Sequence, residues 1–580
     1  MSMSQEVAVQ KTYNYSEFSY VQSEEQARAE FRQHPLVIIG AGPVGLSMAL
    51  DCAARGIATV VLDDNNSVSI GSRAVCYAQR TLEVWGRLGV AAPLLAQGVS
   101  WRVGKVFFGE GLSYQFDLQP QPGHEMPAMI NLQQYYLEES LVRACEQHAL
   151  IDLRWKHKLL ALTQNAKGVQ GARLRVETPD GEFDMGADWV VACDGAGSDT
   201  RRMVGADFSG QAFQDRFLIA DVVIDTDALL PADARAGGSL RRLGGEPERW
   251  FWFDPPFHPG QSVLLHKQSH GVWRIDFQLG WEADPVEEKK PENVIPRIQA
   301  MLGPDVAFEL EWVSVYQFAC RRIDQFRHGR VLFAGDAAHQ VSPFGARGAN
   351  SGVQDADNLG WKLQAVLAGA APEALLDSYH LERAWAADDN LRQSTRSTDF
   401  ITPKSRASLR LRNAVLTLAR TEPFARPFVN SGRLSTPTVY ANSPLISADV
   451  ESPGAADAFA AEAPPPGSAC PDAPLLVDGQ ADWLLRQLAR AGQGFVLLSW
   501  CAVAPVSVGR INAQALVVGR DVHDTDGVLT RRYDARPGTV YLIRPDQIVA
   551  ARWRAPQPHL MRVALRRSLA LDAQETEAFA

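Results

Sequence analysis

A short apolar run, Leu36-Val37-Ile38-Ile39, leads straight into Gly40-Ala41-Gly42-Pro43-Val44-Gly45 and then into a helical stretch, Leu46 to Arg55. A second apolar run, Ala58 to Leu62, follows and ends on Asp63. Strand, glycine-rich turn, helix and strand within about thirty residues make a βαβ unit. Each glycine in the turn has its own task. Gly40 allows the tight turn. Gly42 lets the backbone approach a pyrophosphate at the positive end of the helix, and Gly45 lets helix and strand pack closely. Pro43 and Val44 complete the cofactor-binding turn. Asp63 is placed to accept hydrogen bonds from a ribose diol, and its neighbour Asp64 is a second candidate for that task. The turn selects a dinucleotide without choosing between NAD and FAD.

The chain has 580 residues, 46% of them hydrophobic, which is too long for one domain; about three or four are expected. Its formal charge of −10 is spread along the chain, which argues against nucleic acid or an anionic membrane as the main partner. Seven cysteines occur and no two of them have CxxC spacing. Free thiols in a reducing cytoplasm are expected, with no metal site. The first twenty residues have no basic-then-apolar signal pattern, and no run of about 18 apolar residues occurs. The expectation is a soluble, cytoplasmic protein.

Residues 1–34 are polar and without period, the pattern of an arm packed on the body or of a partly disordered tail. Residues 174–188 are expected to form a hairpin turning at Asp180-Gly181, and residues 189–193 a further buried strand. From about 210 to 320 the pattern changes to alternation: Ile275, Phe277 and Leu279 share one strand face, and Arg274, Asp276 and Gln278 the other. Val331 to Ala334 is again a short buried strand. A charged helical region runs to about 420. Residues 452–474, rich in Pro and Ala, have the composition of a linker. The last hundred residues carry a separate α/β pattern, with a helix at 483–490 and strands at 494–499, 540–543 and 548–552.

Two further motifs follow the first turn in order. Asp194-Gly195-Ala196-Gly197-Ser198-Asp199-Thr200-Arg201 has the form DGxxSxxR, and Gly335-Asp336 opens a segment, GDAAHQVSPFGARGANSGVQDADNLGWKL, that runs from a glycine-rich loop into a helix. With the first turn they resemble the flavin-dependent aromatic monooxygenases, the single-component hydroxylases that act on benzoates, phenols and phenylpropionates, and the likeness spans residues 36–363. The resemblance implies an α/β fold: a Rossmann-like FAD-binding domain of the para-hydroxybenzoate hydroxylase type, a mixed-sheet substrate domain and a C-terminal thioredoxin-like domain. It divides the chain into an arm (1–34), a discontinuous FAD domain (35–210 and 322–400), a substrate sheet (211–321), a helical and linker segment (401–465) and the tail domain (466–580).

It also implies tightly bound, non-covalent FAD and transient NADH or NADPH. Gly335 and Asp336 would meet the ribityl hydroxyls, and Gly348, Ala349 and Asn350 at a helix N-terminus would face the electron-rich edge of the flavin ring. Arg73, Gln134 and Asp194 match further FAD contacts of the family. The chemistry implied is reduction of the flavin, reaction with O2 to a C4a-hydroperoxide and transfer of OH to an activated ring. A phenolate reacts better than a phenol, so positive potential or a base is expected near the ring. Arg347 is the first candidate for that potential, and Pro343 would offer its carbonyl beside the substrate. The base stays open. Phenol hydroxylase has an aspartate where this chain has Val75; Tyr77, His266 and His258 are candidates. His339 is expected to pack or cap.

The tail, Tyr533 to Trp553, resembles the thioredoxin-like domain of the larger hydroxylases. Cys501 stands alone, so a structural role is expected, with a homodimer left open. A flavin-dependent oxidase or reductase that inserts no oxygen, and a non-catalytic flavin-binding regulator, are the competing functions. The partners expected are a small aromatic substrate, O2 and NAD(P)H.

Overall fold

The computed structural model describes residues 12–165, 170–224, 248–304, 306–429, 434, 436–449, 458–491 and 494–571. The elements that position the site are, in chain order, β1 (Gln33–Ile39), α1 (Pro43–Ala54), β2 (Thr59–Asp63), β3 (Val103–Phe108), β4 (Gly111–Asp117), α2 (Gln134–Glu146), β5 (Ile151–Trp155), β6 (Lys158–Gln164), β7 (Ala172–Thr178), β8 (Gly181–Ala192), β9 (Phe208–Ile224), β10 (Arg249–Phe253), β11 (Ser262–Lys267), β12 (Val272–Leu279), β13 (Phe308–Ile323), β14 (Val331–Phe333), α3 (Gly348–Leu367) and α4 (Asp377–Ile401).

The first sheet runs β14–β8–β1–β2–β5, with every neighbouring pair parallel. β1 lies in the middle, and Leu36, Val37 and Ile38 are wholly buried. A strand covered on both faces has no polar side to alternate with, so its sequence reads as an unbroken apolar run. β8 differs from expectation. The hairpin and the strand after it are one element: Gly181 to Ala187 pairs antiparallel with β7, and Gly186 to Ala192 pairs parallel with β1. The turn falls at residues 179–180, one residue before the expected Asp180-Gly181.

The second sheet runs β13–β9–β12–β11–β10–β3–β4. β3 and β4 join it from residues 103–117, through parallel pairing of Gly104–Phe108 with Arg249–Phe253. The expected division placed those residues with the dinucleotide part. The correction has a simple cause: the pairing joins strands about 145 positions apart, and strand periodicity carries no record of its partner. One face of this sheet (Leu218, Ala220, Val222, Trp250, Trp252, Val263, Leu265, Ile275 and Phe277) packs on the helix Pro291–Leu302 through Val294, Ile298 and Met301. That apolar face leaves the opposite face turned toward the first sheet.

The described part of the N-terminal arm packs on the body. Tyr13 stacks on Tyr135 at 4.4 Å and Phe18 on Trp155 at 4.5 Å, while Gly71 N–H donates to the Tyr15 hydroxyl at 2.9 Å. Residues 1–11 of the expected arm lie outside the described residues. At the other end a five-stranded mixed sheet orders its strands 506–508, 511–517, 495–499, 540–543, 549–553. Three of these strands follow the sequence reading to within a residue or two, and the strands 506–508 and 511–517 were not foreseen in it. All seven cysteines are free thiols. No helix among the described residues is long and apolar enough to cross a membrane.

Candidate active site

Gly40 has φ of +101°, and a Cβ there would lie 2.6 Å from the Cys193 carbonyl oxygen; one on Gly45 would lie 1.9 Å from the Gly40 oxygen. Both must be glycine, because β1, α1 and the end of β8 meet there. Gly42 is the opposite case. A Cβ there would meet nothing within 4 Å. Space, not packing, distinguishes it, and that space lies in front of the N-terminus of α1, which has no side-chain cap. The first-turn N–H groups of Val44 and Gly45 have no partner within the helix, which is what an anion requires. Asp63 closes the turn by accepting from Ala41 N–H (2.6 Å) and Asn65 N–H (2.8 Å). Burial raises its carboxyl above the usual range. Asp64 is exposed beside it.

The late loop comes to the same place. Gly335 (φ +62°) is so close to Val44 that a Cβ would stand 2.9 Å from that side chain, and one on Gly352 would stand 2.4 Å from it. Val44 therefore joins two glycine-rich segments nearly three hundred residues apart. Asp336 follows. Its side chain is open to a water-sized sphere, yet burial is the main cause that raises its carboxyl. Both hold together for a group lining a cleft deep in the molecule. Tyr316 has the same double character: it is 39% exposed, and burial, then Asp336, pushes its phenol up to about 12. Arg73 is exposed and close enough for its charge to act on both. An open anion cradle at α1, a lone carboxylate in the cleft and a second helix N-terminus at Gly348 fit the diphosphate, ribityl chain and ring of FAD.

Past Asp336 the loop turns sharply. Pro343 is exposed, its carbonyl accepting from Ala346 N–H at 3.1 Å. Ala346 sits at φ +53°, a conformation that costs a non-glycine residue about a kcal/mol or more and clusters at functional sites. Phe344 packs on Phe217 and Phe318 of the second sheet (5.0 and 5.5 Å between ring centres). Gly348 and Ala349 open α3, whose N-cap is Arg347.

Several expected contacts take other roles. Asn350 spends its amide on the protein, accepting from Ala78 N–H (2.8 Å) and donating to the carbonyls of Cys76 (2.9 Å) and Ala346 (2.6 Å), so it ties the ring-binding loop to its neighbour. Asp194 accepts from the Ser198 hydroxyl (2.6 Å) and Thr200 N–H (3.0 Å), shaping its own turn. Gln134 accepts from Ala74 N–H and donates to Ser69 and Glu138, pinning the loop that carries Arg73. Tyr77 is wholly buried, edge-on to Trp85, and donates to the Ala74 carbonyl, away from the cleft. Arg347 is 5% exposed and donates to the Phe344 carbonyl at 3.2 Å, folded against Gly345 in its own loop.

Asp355 was within the motif but had no assigned role. It is fully buried and binds Gly335 N–H (2.9 Å), His339 (2.7 Å) and Arg383 (2.6 Å), so it holds the Gly335-Asp336 corner in place. His339 packs as expected.

The face of the second sheet opposite its apolar core looks at this loop. Cross-strand register places Arg249, His266, Arg274 and Asp221 in one row across β10, β11, β12 and β9. Arg274 is closed off: it pairs with Asp221 at 2.8 Å and donates to the Arg73 carbonyl at 3.3 Å. The same arginine bonds the Ser72 carbonyl, so sheet and flavin loop are joined there. His266 lies with Nδ1 3.6 Å from Cys76 Sγ, and burial together with Arg249 and Arg274 pushes its pKa well below the usual histidine value. It stays neutral at ordinary pH and is a poor base. Asp276 lies two residues along β12 on the same face, its carboxyl raised to about 6, chiefly by burial.

Comparison with known proteins agrees with this geometry. Residues 33–394 match the FAD binding domain family. Over 544 residues the chain is 26% identical to a 3-(3-hydroxy-phenyl)propionate/3-hydroxycinnamic acid hydroxylase of Mycolicibacterium smegmatis, covering 89% of this chain and 90% of the relative. Over 381 residues it is 32% identical to a 12-dehydrotetracycline 5-monooxygenase/anhydrotetracycline 6-monooxygenase of Streptomyces rimosus, covering 64% and 71%. Among solved structures, the flavin-dependent monooxygenase PieE in complex with FAD and substrate superposes with a TM-score of 0.75 at 21% identity, over 93% of this chain and 99% of that one. The chain thus belongs to the FAD binding domain family and is an FAD-dependent aromatic monooxygenase.

Proposed function

We propose that the chain hydroxylates a phenolic ring held between the flavin loop (residues 335–350) and the polar face of the second sheet, with NAD(P)H as electron source. The observation that carries this is the meeting of the two glycine-rich segments at Val44 with Asp336 in the cleft beside them. Bound FAD supplies the redox chemistry, accepting hydride and delivering one oxygen atom from O2. The chain's own residues bind and orient. Gly42 and the first turn of α1 take the diphosphate, Asp63 the adenosine ribose, Asp336 the ribityl hydroxyls, and the N-terminus of α3 the ring's electron-rich edge. Phe344, Phe217 and Phe318 exclude water beside the ring. Arg347 stabilises the conformation of its loop, so its charge acts on the ring site through that loop.

The C-terminal five-stranded sheet is thioredoxin-like in its mix of parallel and antiparallel pairings. Cys501 has no CxxC partner, which leaves the domain a structural role. The substrate class is a hydroxylated aromatic acid of phenylpropionate size, following the curated relative that spans most of the chain. The test is NADH and NADPH oxidation by the yellow protein with a panel of phenols, 3-(3-hydroxyphenyl)propionate first. Stimulated oxidation with a product heavier by one oxygen supports the reading. Stimulation that yields only hydrogen peroxide with every phenol contradicts it.

A further inference from the structure

We propose that Asp276 takes the proton from the substrate's ring hydroxyl and that Arg249, on the same face of that sheet, holds the oxygen anion so formed. The inference rests on the hydroxylase reading above and names the groups that activate its substrate.

Among the described residues, three buried polar atoms on this one sheet face have no hydrogen-bond partner: Asp276 Oδ1 on β12, Arg249 Nε on β10 and His266 Nε2 on β11. Leaving such an atom unsatisfied costs about 1–3 kcal/mol, more when it is charged. Three together on adjacent strands mark a place built for something else to fill. Arg249 and Asp276 are near enough for each charge to act on the other, yet no ion pair joins them among the described residues. The contrast with Arg274 is direct, because that arginine on the same face is sealed by Asp221. Asp276 and Arg249 thus stand with unpartnered atoms on the sheet face against which Phe344 of the flavin loop packs.

Chemistry selects which group accepts the proton. The charged and titratable groups facing Asp276 are Arg274 on its own strand, Arg249 on β10, Asp221 on β9, His266 on β11 and Cys76 on the short strand Cys76–Ala78. His266 sits beside two arginines, so a proton there is strongly disfavoured. Burial lifts the Cys76 thiol to about 11, so it keeps its own proton. Arg274 is committed to Asp221. Asp276 alone is ionised at neutral pH, still basic for a carboxylate, and has a free lone pair. In the step, the phenol O–H bond breaks, the proton goes to Asp276 Oδ1 and the electron pair stays on the oxygen beside Arg249. No electrons leave the ring. The ring carbons ortho and para to that oxygen become nucleophilic, and the proton returns to the product.

The test uses Asp276→Asn and Arg249→Met holoenzymes, each first shown to retain FAD, with 4-nitrophenol and its 2- and 3-isomers as coloured probes. The two variants should move a bound probe's ionisation in opposite directions. Asp276→Asn removes a neighbouring negative charge, so the probe's ionisation constant rises about tenfold; Arg249→Met removes the positive one, and it falls about tenfold. With whichever phenol most stimulates NADH oxidation, Asp276→Asn should nonetheless slow hydroxylation about a hundredfold or more and lose the acid limb near pH 6, with Asp276→Glu restoring part of both. A residue that merely supports the fold would not give that opposed pair. Unchanged probe titration in both variants, or a wild-type holoenzyme that binds none of the three nitrophenols, overturns the assignment. An FAD-loaded protein that hydroxylates no phenol overturns the hydroxylase reading instead.

Discussion

Two clusters of buried charge in this chain are built on opposite rules. Where α3 and α4 meet the C-terminal domain, Glu382 accepts from Lys362 (2.7 Å), Asn358 (2.7 Å), Ser443 (2.6 Å) and Arg544 (3.0 Å), and Arg544 also binds Asp546. Glu382, Lys362 and Arg544 have no exposed surface, and this attraction holds the Glu382 carboxyl far below its ordinary range. Arg80 joins the same seam by binding Asp357 (3.0 Å) and Glu83 (3.3 Å). On the substrate side, Arg249, His266 and Asp276 are left with orphaned atoms. The closed cluster fixes how the two parts of the chain dock. The open one is kept available for a ligand. Burial of charge alone does not separate structure from function; whether the charges are paired does.

The comparison breaks most easily at its closed end. Glu382→Gln leaves Arg544 and Lys362 short of their countercharge and should destabilise the fold by about 3–5 kcal/mol, read as a large drop in Tm. A Tm within a degree of wild type would show that the seam is not a unit. Asp336→Ala comes next. It removes a charged acceptor from the ribityl chain and should weaken FAD binding by roughly ten- to a hundredfold, measured by titrating apoprotein with FAD. Full retention of flavin at wild-type affinity would remove Asp336 from the site.

The open cluster predicts the reverse sign for stability. The Asp276 carboxyl is raised to about 6 in the folded chain from its ordinary value of 3.8. The folded state therefore holds that proton more tightly, and its contribution to stability is complete below about pH 4 and lost as pH rises through 6. Asp276→Asn should be more stable than wild type above pH 6, by about 3 kcal/mol at most, with the gap closing toward pH 4. Chemical denaturation at pH 5 and pH 8 reads this difference, and a variant less stable at pH 8 would place Asp276 with the structural charges. The smallest effect belongs to Cys501→Ala. Its thiol contacts the Ser499 hydroxyl at 3.4 Å, and stability should stay within about 0.5 kcal/mol of wild type with turnover unchanged.

Local chemistry made much of this visible in the chain. The turn at Gly40 to Gly45 needs glycine for reasons of contact and approach, and those reasons act within a few residues. The two buried strands β1 and β14 stand out as apolar runs for the same local reason. Strands β3 and β4 did not reveal their sheet, because their partners are fixed by distant pairing. Asp355 escaped notice because an acidic residue inside a helix reads as solvated surface until Arg383 and His339 are seen to enclose it. Gln134 was expected at the ligand from the resemblance and Asn350 from its place at a helix N-terminus; the Asn350 amide bonds backbone groups of Ala78, Cys76 and Ala346, and the Gln134 amide bonds Ala74 N–H, Ser69 and Glu138. Arg249 gave no signal at all, since an arginine at a strand's end is usually a solvated one. Only register showed it level with His266 on the buried face.

All of these roles depend on the cleft between α1 and the late loop holding one flavin per chain. The direct measurement is titration of purified apoprotein with FAD, followed by visible absorbance and calorimetry, for wild type and Asp336→Ala side by side. The account predicts one FAD per wild-type chain and clearly weaker binding in the variant. A wild-type chain that stays colourless in excess FAD would contradict it.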